Sequence, residues 1–269
     1  RTISKLKLRA SYGQTGNATL NGRRFAYLST INDSWDDLKQ YNWGTESGYN
    51  RNGMAEGEFA VPNLTWEVVN KANVGLELGL FNGMVDLQFD LFDERRHNIF
   101  MPRESIPITA GFIKQPWDNY GKMKNQGAEV TLNINKQFNK NLFVSLMGTL
   151  TYAHNEITKY DESPKYAFQS KVGQSANIPS IMISDGLFKD PDDVKNSNQQ
   201  IGGNLSAGDI KYVNISKLYG YDDDIVDISD WVWAKNPTVP EIVYGFGPSI
   251  RWKNLDFSFF FQGVAKVSL

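Results

Sequence analysis

The side chains most able to do chemistry in this sequence are carboxylates and aromatic rings. The run Asp222-Asp223-Asp224-Ile225-Val226-Asp227-Ile228-Ser229-Asp230 is the densest acidic stretch of the chain. A hard divalent cation takes six to eight oxygen ligands, so Asp222, Asp224, Asp227 and Asp230 are the candidates for a calcium site. The other reading is a solvated acidic loop that binds no metal. Aromatic residues fall in three stretches between patterned segments: Trp35, Tyr41, Trp43 and Tyr49, then Trp117 and Tyr120, then Trp231 and Trp233. Exposed rings stack on sugars or pack against a partner, and Trp and Tyr are enriched where proteins meet. Trp35, Trp43, Trp117, Trp231 and Trp233 are therefore the candidate ligand contacts. The alternative is that these rings staple the loops to themselves.

Catalysis finds little in the same inventory. Cysteine is absent, and the only histidines are His97 and His154, neither at a metal-ligand spacing. Carboxylate pairs run glycoside hydrolysis, but 30 acidic residues make chance pairs abundant. Glu94-Arg95-Arg96 reads as a salt-bridged patch. Gly202-Gly203 lacks the Gly-Lys-Ser/Thr continuation of a phosphate loop. The expectation is a protein that is not an enzyme and needs no cofactor. A formal charge of −2, from 28 basic and 30 acidic residues, argues against nucleic acid as a partner.

The segments that must position these residues are strands. In a strand, alternate residues face opposite sides, so a period of two marks two environments. From Trp66 to Leu80 the even positions are mostly apolar (Trp66, Val68, Ala72, Val74, Leu76, Leu78, Leu80) and the odd ones mostly polar or small. The pattern returns around Leu6–Tyr12, Val85–Leu91, Ala128–Ile134, Leu142–Tyr152, Ile242–Trp252 and Leu255–Phe261, which makes seven strands. No apolar run approaches the roughly 18 residues of a membrane helix, and no apolar leader follows a basic start.

Connection lengths alternate strictly. Phe81-Asn82-Gly83, Phe138–Asn141 and Lys253-Asn254 are tight turns, the first with a glycine free to take positive φ. The links from Gly13 to Asn63, from Asn98 to about Asn119 and from Asn155 to about Val239 are long. Up-and-down strands then put every long loop at one end of the sheet. Membrane barrels have short periplasmic turns and long extracellular loops, whereas sandwiches show no such asymmetry. Strands of about 17 residues, roughly 55 Å at 3.3 Å per residue, exceed the 9–11 residues of a crossing, so the surplus stands above the membrane. Phe81, Phe92, Phe138, Phe143 and Trp252 fall towards the turn end, where aromatic girdles lie. A secreted, non-enzymatic carbohydrate-binding β protein is the alternative.

The sequence resembles a known family at six places in order. They are Leu6-Lys7-Leu8-Arg9-Ala10-Ser11-Tyr12-Gly13-Gln14-Thr15-Gly16-Asn17, Pro62-Asn63-Leu64-Thr65-Trp66-Glu67, and Asn119-Tyr120-Gly121-Lys122-Met123-Lys124-Asn125-Gln126-Gly127-Ala128-Glu129. After them come Asp185-Gly186-Leu187-Phe188, Gly208-Asp209-Ile210-Lys211-Tyr212 and Pro240-Glu241 before a strand with Gly245. This ordered set resembles the SusC/RagA family of TonB-dependent outer-membrane transporters. The resemblance implies an all-β fold of antiparallel up-and-down strands, with residues 1–269 forming part of a 22-stranded transmembrane barrel without its plug or final strand. It implies import of glycan or peptide fragments across the outer membrane of Bacteroidota-type cells. It also implies a SusD-like surface lipoprotein and TonB as partners, an oligosaccharide or peptide ligand, and lipid around the wall. Many such sequences carry a calcium-loop-like string where this chain has Asp222–Asp230, but here Ile225 replaces the turn glycine.

Two mutational expectations follow from the facing. Leu78→Arg or Leu87→Arg should block assembly, and Glu77→Arg, on the polar face, should be mild.

Overall fold

The computed structural model describes residues 2–268 except 21, 36–40, 44–48, 52, 113, 222 and 223. Its body is one antiparallel sheet whose strands pair in chain order. They are β1 (Ile3–Asn17), β2 (Glu67–Leu80), β3 (Val85–Pro102), β4 (Trp117–Asn139), β5 (Leu142–Lys159), β6 (Ile242–Trp252), β7 (Leu255–Ser258) and β8 (Phe261–Ala265). The last two are one expected strand, interrupted. Both pair with β6 in a single register, Ser249 opposite Ser258 and Phe246 opposite Phe261. Pro248 lies opposite the gap. Its carbonyl accepts the Phe259 N–H at 3.3 Å, but proline has no N–H to return, so the ladder breaks there.

Register carries the alternation across the whole sheet. Leu8, Leu76, Phe89, Val130, Leu150 and Tyr244 form one continuous row. Lys7, Glu77, Gln88, Thr131 and Thr149 form the adjacent row on the opposite face. The apolar face is bare: Leu8 is 75% exposed, Tyr12 77% and Phe257 63%. A sandwich would cover it with a second sheet, and among the described residues none does. Lipid is the solvent this face suits. The apolar band also slants. It ends at Ile3 in β1, opposite Leu80, but runs to Trp252 and Leu255 in β6 and β7, four positions further towards the turns. Strands tilted to a membrane normal give such an oblique band.

Beyond the band, towards the long loops, both faces are polar. Outward there, Gln14 bonds Asn70 at 2.9 Å, Gln126 bonds Asp93 at 2.6 Å, and Lys124 meets Glu156 at 2.8 Å. The strands continue into water, and β4 reaches 23 residues. Phe92 and Phe143 depart from the girdle expectation. Phe92 lies beside Leu91 on the other face and covers Gly127; Phe143 pairs with Arg251, whose guanidinium sits 5.7 Å from its ring. Both face inward.

The inward face is tied by ions. Glu77 takes Lys5 at 2.8 Å, Lys7 at 3.1 Å and Arg9 at 3.0 Å. Arg9 also reaches over β2 to both carboxylate oxygens of Asp90 on β3, at 3.0 and 2.9 Å. Glu77→Arg is therefore not mild, since it sets a fourth cation among three. Gly75 lies beneath the Arg9–Asp90 pair. A Cβ there would strike the Asp90 carboxylate and stand 2.9 Å from the guanidinium. Gly75→Ala is expected to cost about 1–2 kcal/mol through overpacking. Gly148→Ala, where a Cβ meets nothing within 4 Å, is expected to be neutral or mildly stabilising. Unfolding midpoints of the two variants in detergent check this contrast.

Candidate functional site: the inward face and its loops

Charge pairs line the inward face up to its loop end. Lys71 meets Glu94 at 2.9 Å, Arg96 meets Glu67 at 2.6 Å, and Asn125 donates to Glu94 at 3.3 Å. Above them the third long loop folds back onto β5. Ser175 Oγ and the Ala176 N–H both donate to Asn155 Oδ1, at 3.0 and 2.8 Å. The half-open recess there is about 310 Å3, and its walls include Glu94, Arg96, Asn125, Asn155, Asn177 and Glu241. Carboxylates, a guanidinium and amides converge there, so it can hydrogen-bond a polar solute of either sign. Beside it His154 Nδ1 meets Glu241 at 2.5 Å and Lys266 meets the same carboxylate at 3.3 Å. This ties β5, β6 and the end of β8 where the loop leaves the wall.

The first two loops share a small core of Ala26, Val61 and Phe100, with Leu20, Leu64 and Trp117 packed against it. Trp117 stacks at a tilt on Phe100, centroids 5.1 Å apart, under Arg23 at 4.4 Å. Tyr120 lies between two cations, Arg103 at 4.5 Å and Lys159 at 3.7 Å. A clasp joins the second loop to the base of the third: Asp161 accepts from Arg103 Nε at 3.0 Å and from the Ser105 N–H and Oγ at 3.1 and 2.8 Å. Burial works to raise the Asp161 pKa, but the Ser105 donors and the Arg103 guanidinium overcome it and hold the carboxyl below its ordinary 3.8. A depressed folded pKa contributes stability above the ordinary value and loses it as pH falls through the lowered one. Hydrogen-exchange protection around Ser105 is expected to hold down to about pH 4 and decline below. In Asp161→Asn it is expected to be weaker at neutral pH and flat on the acid side.

The third loop is a folded unit with short strand pairs and two helices, α1 (Pro191–Asn196) and α2 (Ile215–Leu218). The described acids of its acidic run, Asp224, Asp227 and Asp230, are bonded within the loop. Asp230 is wholly buried and accepts from the Ser216 and Asp227 N–H groups at 2.8 and 2.9 Å. Asp227 caps the short helix Ile228–Asp230 through the Ser229 N–H, and that bond holds its pKa low. Asp224 pairs with Lys217 at 2.6 Å. Asp222 lies outside the described residues. Among the described residues no three His, Asp or Glu side chains are arranged to hold a metal ion.

Of the candidate tryptophans, Trp231 and Trp233 come together edge to face at 4.7 Å. Trp233 Nε1 donates to the Gln169 and Ser170 carbonyls at 3.2 and 2.9 Å. Trp117 belongs to the other loop core. The side chains of Trp35 and Trp43 lie outside the described residues. The fold assembles a further aromatic group beyond the candidates of the sequence: Tyr166 on Tyr221 at 4.3 Å and on Phe168 at 5.3 Å, and Phe168 on Tyr219 at 4.6 Å. Its signal is two aromatic pairs, Tyr166-Ala167-Phe168 and Tyr219-Gly220-Tyr221, each spaced by one small residue.

With this geometry in hand, comparison with known proteins gives a consistent answer. A family model described as TonB dependent receptor-like, beta-barrel, matches residues 3–260. The TonB-dependent receptor P26 of Formosa agariphila is 28% identical over 98% of this chain and 26% of its own length. The TonB-dependent receptor SusC of Bacteroides thetaiotaomicron is 26% identical over 96% of this chain and 24% of its own. Among solved structures, the RagAB peptide importer in its open-open state superposes with a TM-score of 0.64 at 20% identity, over 99% of this chain and 26% of that one. The chain thus spans about a quarter of the length of these relatives.

Proposed function

Because the chain belongs to the TonB-dependent receptor β-barrel family of the outer membrane, we propose that it supplies wall strands and extracellular loops to an importer of oligosaccharide or peptide fragments. The observation that carries this is the two-faced sheet: an apolar band outside, and inside a charged, amide-rich lining that ends in the recess under the third loop. Paired charges suit a water-filled passage, because they keep the lining hydrated without leaving one sign to trap a solute. On this reading residues 1–269 are one part of a longer barrel, and catalysis has no place in it. A SusD-like surface lipoprotein over the loops, and TonB acting through a plug, complete the proposed machine. Both ligand classes remain within the proposal because the recess offers groups for either.

The test is uptake in cells carrying the full-length receptor. Receptor deletion is expected to abolish growth on either an oligosaccharide or a peptide mixture supplied as sole source. Arg96→Ala with Asn125→Ala is expected to weaken capture of that nutrient while the receptor still reaches the outer membrane. Normal growth of the deletion strain on both nutrients would overturn the reading.

A further inference from the structure

In the outward apolar band (residues 3–12 of β1, 72–80 of β2, 85–91 of β3, 128–136 of β4, 142–152 of β5, 242–252 of β6 and 255–265 of β7 and β8), every outward-facing residue is uncharged except Lys136. Lys136 follows Ile134 on β4 and lies opposite Val144, which lies opposite Ile250. Its Nζ sits 4.9 Å from the Phe138 ring, towards the turn. A cation on a lipid face is costly and turns its head towards the interface. Here it arrives beside two more. Lys140 occupies the β4–β5 turn, and Lys253 the β6–β7 turn. The two turns are bonded, the Lys253 N–H donating to the Asn141 carbonyl at 2.7 Å. Lys253 Nζ is 5.6 Å from the Trp252 ring.

None of these three lysines has a carboxylate within ion-pair distance among the described residues. The acid nearest in sequence to Lys253, Asp256, belongs to the inward face and is paired with Arg251 at 3.0 Å. Phe138, Trp252 and Leu255 stand beside the lysines, each more than half exposed. The β2–β3 turn, Phe81-Asn82-Gly83-Met84, carries no charge, so among the described residues the basic-aromatic patch lies on two adjoining hairpins. It is continuous with the lipid-facing band, and its positive charge complements a phosphate.

We propose that this turn-end patch binds the headgroup of an anionic glycerophospholipid. Lys136, Lys140 and Lys253 supply the charge, and Phe138 and Trp252 flank the glycerol and upper acyl chains. Short turns lie on the periplasmic side of such barrels, which places the lipid in that leaflet. A lysine near an anionic lipid surface contributes enough to shift retention about five-fold.

The experiment is native mass spectrometry of the full-length receptor in non-ionic detergent, titrated with dioleoyl phosphatidylglycerol or dioleoyl phosphatidylcholine. Wild type is expected to retain phosphatidylglycerol about five-fold or more over phosphatidylcholine. K136Q/K140Q/K253Q is expected to lose the preference, and K122Q, at the loop end, to keep it. K136M, which replaces the charge by an apolar chain of similar reach, should assemble normally and lose part of the preference, so the idea remains testable if the triple variant fails to fold. Excess glycerol 3-phosphate or inorganic phosphate is expected to leave retention unchanged. Equal retention of the two lipids, full preference in K136M, or displacement by free phosphate would each overturn the proposal.

Discussion

Leu87→Arg is expected to stop this wall from assembling. Leu87 faces outward in a row with Leu6, Leu78 and Leu132, with further apolar rows on either side. A cation near the midplane of a membrane barrel costs about 2–4 kcal/mol, and within the apolar band it would find no outward acid to pair with. Thr131→Arg is the matched control: it lies one position from Leu132 but on the inward face, beside Gln88 and Thr149. Heat-modifiable mobility of the full-length receptor on gels reads folding directly. Leu87→Arg should leave little folded band and Thr131→Arg close to wild-type levels. Equal loss from both would mean that the assignment of faces is wrong.

The second large effect is confined to a loop. Asp230→Ala removes the one carboxylate that satisfies a buried donor, the Ser216 N–H, and a half-buried one, the Asp227 N–H. A stranded buried donor costs about 1–3 kcal/mol, and the half-buried one adds less because water can reach it. Hydrogen exchange across residues 214–230 is expected to accelerate strongly in the full-length receptor, while the wall strands keep their protection. Adding calcium to the wild type should not slow exchange there, since Asp224, Asp227 and Asp230 already serve protein donors. Unchanged protection over 214–230 in Asp230→Ala would refute this account of the loop.

The band of the wall was readable in the sequence because its cause is local. Two solvents on two faces impose a period of two, and Asn82-Gly83 or Lys253-Asn254 punctuate it wherever the chain must reverse. The upper strand ends were not readable for the complementary reason. Around Asp93–His97 and Asn119–Asn125 both faces meet water, so alternation fades while the ladder of hydrogen bonds continues. Loop chemistry was the least legible. Spacing within Asp222–Asp230 suggested a cation, yet Asp230 is spent on Ser216, 14 positions earlier. Likewise nothing near Arg9 announces a partner 81 positions away. Trp117 and Trp233 were visible as aromatic residues in loops; what they touch depends on segments brought back by the fold. The Tyr166–Phe168 and Tyr219–Tyr221 pairs carry little legible signal in the sequence, because neither pair means much without the other.

The span of Arg9 over Gly75 to Asp90 bears on how such a wall avoids mistakes while it zips together. A strand displaced by one position betrays itself, because every greasy side chain then turns to water. Displacement by two escapes that check, since each face keeps its character. For β1 against β2, a shift of two would set Arg9 opposite Asn73 or Glu77, neighbours of Gly75 on the same face. The gap would then lie under Lys7 or Ser11, and Asp90 would be left almost buried without its guanidinium. One glycine and one ion pair thus act as a proofreading mark for the alignment errors that hydrophobicity cannot see.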